Sequence, residues 1–229
     1  MKLSFSGFEN VLEITPGRVS VLQIESVSLF ARVCQSLICL EENEAPEPFS
    51  LWDDDGKELS SKKSFLSIVD PFNLPWRDRG LLSALFEQID ERMREDEIIR
   101  RQIEATHQQF EHLVNNLSLR LNANYSFGLE WDMTQSLKAY SFGIDRSDSI
   151  SLFDNLIRFI EFVHDICYKK VLLFVNLEKF LTKNELLELE SQLFFHNLSA
   201  LFLVQGSKEI PFLNSKKLLI DQEFFEFLS

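Results

Sequence analysis

Apolar residues along this chain fall first into short runs, then into long stretches of helical period, then into short runs again. After a Pro16-Gly17 turn, residues 18–24 alternate apolar and polar, the pattern of a half-buried strand. The apolar spacing of 27–40 predicts a helix. Asp53-Asp54-Asp55-Gly56 is a tight turn that predicts a hairpin between 49–52 and 57–59, and 64–69 is a short strand stopped by Asp70-Pro71.

From 78 to about 121 charged and apolar residues mix at helical period. Leu82, Leu85, Phe86, Ile89 and Met93 share one face, and Ile99, Ile103, Phe110, Leu113 and Leu117 continue it. Two long helices, or one bent helix, are expected. Helices over 133–140 and 150–168 flank a polar break at 143–149. Then 171–175 and 200–204 are continuous apolar strands around a helix at 184–195, with a last short strand at 217–220 before 222–228. Continuous apolar strands separated by helices imply a parallel sheet covered on both faces. The expected fold is α/β: a head with a mostly parallel sheet from 1–71 and 150–229, and an extended helical insertion at 72–149.

Composition narrows the class. Hydrophobic residues make up 45% of the 229, with 22 Phe, which supports a packed core and excludes a disordered chain. The opening residues contain no signal-peptide core, and runs such as 171–175 are too short to span a bilayer. Cys34, Cys39 and Cys167 have no metal spacing and read as reduced core residues. A cytoplasmic protein with no membrane partner is expected. The formal net charge is −13, with 11 acids against 4 bases in residues 1–60 alone. That balance opposes nucleic-acid binding unless bases gather on one surface or a cation cancels local carboxylates.

Catalytic chemistry is hard to find. The strand-turn-helix at 19–40 lies where a phosphate loop sits in α/β nucleotide-binding folds, but Ile24-Glu25-Ser26-Val27-Ser28 has no Gly and no Lys, and Glu25 repels a phosphate. The strand at 171–175 ends in Asn176, where a metal-binding Asp would be expected. His107, His112, His164 and His196 form no metal motif and read as exposed helix residues; the acidic turn at 53–56 lacks calcium-loop spacing. Glu130 and Asp132 are two apart in a non-helical stretch, so their carboxylates point the same way and can share a hard cation; Asp132 also reads as the N-cap of the helix that follows.

The run KKVLLFVN at 169–176, followed by FLTKNE at 180–185, resembles the DNA-end-binding Csn-two family of type II-A CRISPR systems. The likeness extends to the Pro16-Gly17 turn, the strand at 19–25 and the segment 65–71, tight in the last third and loose in the helical middle. It implies a degenerate P-loop-like head, a ring-shaped homotetramer that threads double-stranded DNA from free ends, and structural Ca2+ in the helical region. It also implies a role in spacer acquisition, beside the Cas integrase proteins and the RNA-guided nuclease, with no enzymatic activity. Leu129-Glu130-Trp131-Asp132 is similar to a family segment before a short helix, which makes Glu130 and Asp132 the expected metal ligands. A neighbouring family acid falls on Gly128 or Ser126 here, leaving that site one carboxylate short. Lys138, Arg146, Lys62 and Lys63, in or beside the insertion, are the expected DNA contacts. The alternatives are a structural adaptor that scaffolds the adaptation complex without binding DNA, and, ranked last, a metal-dependent nuclease.

Overall fold

The computed structural model describes residues 1–39, 44–144 and 151–229. The chain divides into two compact units, one of Met1–Pro75 with Asp148–Ser229 and one of Trp76–Ser147.

The first unit is built on a six-stranded sheet. Its strands are β3 (Val19–Ile24), β5 (Phe65–Ile68), β6 (Val171–Val175), β7 (Ala200–Gln205), β8 (Lys216–Ile220) and β9 (Glu226–Leu228), in the order β5-β6-β7-β3-β8-β9. All neighbours run parallel except β9, which pairs antiparallel with β8. The parallel sheet expected from the continuous apolar strands is thus present. A smaller antiparallel sheet, β2-β1-β4, joins β1 (Lys2–Phe5), β2 (Leu12–Glu13) and β4 (Phe49–Trp52).

Period-2 side-chain direction sorts the core into two faces. Leu22, Ile24, Leu173, Leu201, Leu203 and Ile220 form one cluster with Leu3, Phe5, Leu12 and Leu51 of the small sheet and with Leu29, Phe30 and Val33 of helix α1 (Val27–Cys34). The alternate positions Val21, Leu172, Phe174 and Phe202 are also fully buried. So are Phe159 and Leu156 on helix α6 (Leu152–Asp165) and Leu189 and Leu193 on helix α7 (Lys183–Phe195). Phe174 and Phe202 meet with ring centroids 5.1 Å apart.

Four local expectations need correction. The alternation at 18–24 predicts a half-buried strand, yet all six residues of β3 are buried, because β3 lies between β7 and β8. Its polar residues bond inward: the Ser20 hydroxyl donates to the Glu13 carbonyl at 3.0 Å, and the Gln23 amide donates to the carbonyls of Gly206 and Lys208. The helix at 27–40 leaves α-geometry after Cys34 and continues as a π-helical turn over Gln35–Cys39; Ser36 bonds back to the Arg32 carbonyl and accepts from the Glu47 amide. At 57–59 the hairpin return is a single bridge, Trp52 to Glu58, and the main partner of β4 is β1. Cys167 is exposed rather than in the core, and Cys34 is half-buried.

The second unit holds α3 (Arg79–Glu95), α4 (Glu97–Ser118) and α5 (Met133–Ala139). Two helices form rather than one bent one because Asp96 leaves helical geometry (φ −105°, ψ 92°) and its carboxylate accepts from the amides of Ile98 and Ile99, capping α4. Leu81 and Phe86 of α3 are buried, whereas α4 has no fully buried residue. Among the described residues no helix is long and apolar enough to cross a membrane.

Candidate functional site

The cation candidates Glu130 and Asp132 line one hollow of about 540 Å³ in the helical unit, with Asp90, Glu104 and Glu111. Two aromatic contacts fasten the 127–132 segment to α4: His107 lies 5.3 Å from Trp131, and Phe110 lies 6.4 Å from Phe127, centroid to centroid. His107 is therefore half-buried rather than simply exposed, while His112 is exposed.

Most acids of this hollow are engaged. Glu104 pairs with Arg100 at 3.2 Å, Asp90 with Arg94 at 2.6 Å, and Glu111 meets the His107 ring at 3.0 Å. Asp132 caps α5, accepting from the Gln135 amide at 2.7 Å, as its sequence position predicts. Calcium takes six to eight oxygen ligands. Among the described residues no group of three or more His, Cys, Asp or Glu side chains is placed to hold a metal ion. In this arrangement the described side chains alone do not make such a site.

Of the basic candidates, Lys138 is exposed on α5, Lys62 and Lys63 are exposed on the short helix α2 (Ser61–Ser64) of the α/β unit, and Arg146 lies outside the described residues. Lys62 and Lys63 lie one residue, Ser64, ahead of β5, and Lys169 and Lys170 immediately precede β6. Because β5 and β6 run parallel with Phe65 opposite Val171, the four lysines come to the same end of the sheet. The Lys170 ammonium donates to the Lys62 carbonyl at 2.8 Å, fixing the two pairs side by side. Sequence reasoning named only half of this patch. Its missing signal was the lysine pair in front of the strongest strand, which gains meaning only once β5 is known to be that strand's neighbour.

The turn after β3 is occupied by the protein's own bonds. The Glu25 amide donates to the Ile220 carbonyl at 2.9 Å, and the Ser26 hydroxyl caps α1 by accepting from the Leu29 amide. Asn176, with φ 51°, accepts the Gln205 amide at 2.9 Å, so its side chain straps the ends of β6 and β7 together. The acidic turn is likewise self-satisfied, since one Asp53 carboxylate oxygen accepts from the amides of Asp55 and Lys57.

The model of the CRISPR-associated protein (Cas_Csn2) family matches residues 42–224, most of the chain. The chain belongs to that family. Its fold is similar to the crystal structure of Stu0660 of Streptococcus thermophilus, with a TM-score of 0.60 and 12% sequence identity, covering 100% of this chain and 76% of that one. No curated protein matches. The family match spans both lysine pairs and the 130–132 acids, so the patch and the hollow belong to the part of the chain that the family shares.

Proposed function

We propose that this Cas_Csn2 family member is a sequence-independent clamp for double-stranded DNA ends, a ring-shaped homotetramer that serves CRISPR spacer acquisition without catalysing a reaction. The observation that carries the reading is the lysine patch at the start of β5 and β6, four ammonium groups on one sheet end of a chain whose formal net charge is −13. Phosphate contacts provide sequence-independent affinity, and grouped lysines supply them whatever the overall charge. Ring closure would multiply the patch by the number of copies. Lys138 and Arg146 are the further bases assigned to DNA. The capped, glycine-free turn at 25–28 supports a non-enzymatic role, since its first helical turn already has a side-chain acceptor.

The acidic net charge favours one other reading, an adaptor that holds the Cas integrase proteins and the RNA-guided nuclease together and does not touch DNA. Gel-shift binding to linear and covalently closed duplexes, with calcium and with chelator, separates the two when run alongside a light-scattering mass. A tetramer that shifts linear DNA and ignores closed circles supports the clamp. A tetramer that ignores both at low salt leaves the adaptor. Loss of the shift on chelation would assign the Glu130–Asp132 hollow a cation, with its remaining oxygens from carbonyls, water or another copy of the chain.

A further inference from the structure

At the carboxyl ends of β6 and β7 the α/β unit holds a cavity of about 460 Å³. The lysine patch assigned to DNA sits at the opposite, amino-terminal ends of β5 and β6. Open α/β sheets place their ligands outside the carboxyl ends of the strands. Internal bonds shape the loop after β7 that forms one wall. The Gln23 amide donates to the carbonyls of Gly206 and Lys208, the Glu190 carboxylate accepts from the amides of Leu213 and Asn214, and Phe212 packs edge-on against Phe202 at 4.8 Å.

The lining joins carbon surface to a basic rim. Leu181, Leu186, Val204, Ile210 and Phe212 supply the carbon. Lys179, Lys183 and Lys208 also line the cavity and are exposed; they come from three segments, the turn after β6, the start of α7 and the loop after β7. The lining acids are Glu209, which is exposed, and Glu178, one of whose carboxylate oxygens is buried without a hydrogen-bond partner. Bases thus outnumber acids here, the reverse of the 23 against 36 in the whole chain. Apolar surface continues outside the cavity. Phe180, between the lining residues Lys179 and Leu181, packs edge-on against Phe72 at 5.3 Å, yet the two are 49% and 66% exposed. An aromatic pair left in water beside an apolar cavity marks an interaction surface.

We propose that this face is a docking groove for an acidic linear segment of a partner protein, which seats an aromatic or leucine side chain in the cavity and sets its carboxylates against Lys179, Lys183 and Lys208. Apolar burial supplies the affinity, and the ammoniums select the charge of the segment. A bare apolar cavity would take any apolar group; the lysine rim turns away a basic segment. The Phe180–Phe72 extension calls for a ligand longer than one side chain, hence a peptide rather than a small molecule. Most of the surface of a chain with formal net charge −13 repels an acidic partner, so the rim also fixes where that partner lands. The groove and the lysine patch lie at opposite ends of the strands, so a partner here leaves the patch open to DNA. The inference does not rest on the clamp reading.

The test is fluorescence anisotropy with the full chain, at low salt and without DNA, using the labelled peptide EEDFLEED. Two further peptides serve as comparisons: KKSFLKKS keeps the anchor and reverses the charge, and EEDSSEED keeps the charge and loses the anchor. EEDFLEED should bind saturably and at least about tenfold tighter than either. K179E/K208E changes two exposed side chains; it should keep the wild-type thermal midpoint and weaken EEDFLEED at least about tenfold. F180S should weaken it several-fold. No saturable binding, equal binding of either comparison peptide, or binding that folded K179E/K208E retains in full overturns the proposal. So does a light-scattering mass that rises with protein concentration in wild type and not in K179E/K208E. That result would give the groove to a second copy, whose exposed turn between β8 and β9 carries Glu223, Phe224 and Phe225. With no DNA present, a failure here leaves the clamp reading standing.

Discussion

Removal of Lys63 and Lys169 together isolates the phosphate term of DNA binding. Both side chains are exposed, both sit at the shared end of β5 and β6, and neither takes part in the Lys170-to-Lys62 bond that fixes the patch. The K63A/K169A change therefore removes charge and leaves the framework intact. Each phosphate contact contributes about 0.9 to the slope of log affinity against log salt, so losing two lowers the slope by about 1.8 for each chain that engages the duplex. Over a salt change from about 50 to 200 mM, wild type should lose about tenfold more affinity than the variant. Fluorescence anisotropy on a labelled linear duplex across a salt series reads the slope directly. Lys57→Ala, on the exposed turn after β4, is the control and should leave it unchanged. A double variant with weakened affinity but the wild-type slope, or with no change at all, would refute the assignment of this patch to phosphate.

Other substitutions test the framework and the second site. Phe174→Ala removes a fully buried ring packed against Phe202 and should cost about 3–5 kcal/mol in urea unfolding; a loss below about 1 kcal/mol would mean that this face of the sheet is not packed as described. Asp132→Asn keeps a good N-cap while removing charge, so the thermal midpoint in chelator should hold and any upward shift produced by calcium should vanish. Glu190→Ala strips the acceptor from two amides of the 206–215 loop and should cost about 2 kcal/mol, with faster hydrogen exchange at Leu213 and Asn214; unchanged exchange would contradict that tie. Glu178 titrates above its ordinary range, so the folded state binds more protons than the unfolded chain between the two values. Stability is then fullest below the ordinary glutamate range and falls as pH rises through the raised one. E178Q should accordingly be more stable than wild type at neutral pH, with the gap closing on acidification; a gap that widens in acid would reverse the sign.

Period and continuity in the sequence were enough for the α/β class, the two long helices and the parallel pairing. They report burial, and burial on both faces of a strand leaves apolar runs such as 171–175 with no polar alternation. Local capping was legible at Asp132, because it bonds to an amide three residues away and needs nothing distant. Strand order was not. The alternating pattern of 18–24 describes an edge or a half-covered strand, and only the placement of β8 and β7 on either side turned Ser20 and Gln23 into buried, inward-bonded groups. The lysine patch has the same origin: Lys63 and Lys169 are more than a hundred positions apart, and a parallel register set by Phe65 and Val171 brings them to one end. Glu178 is the extreme case. It lies on the short turn Leu177–Lys179 with residues of the β7–β8 loop nearby, and one of its carboxylate oxygens is buried without a hydrogen-bond partner. The sequence alone determines what is bonded within a turn and which segments are apolar; how far-separated charges meet, and which of them lose water, depends on the order of strands in the sheet.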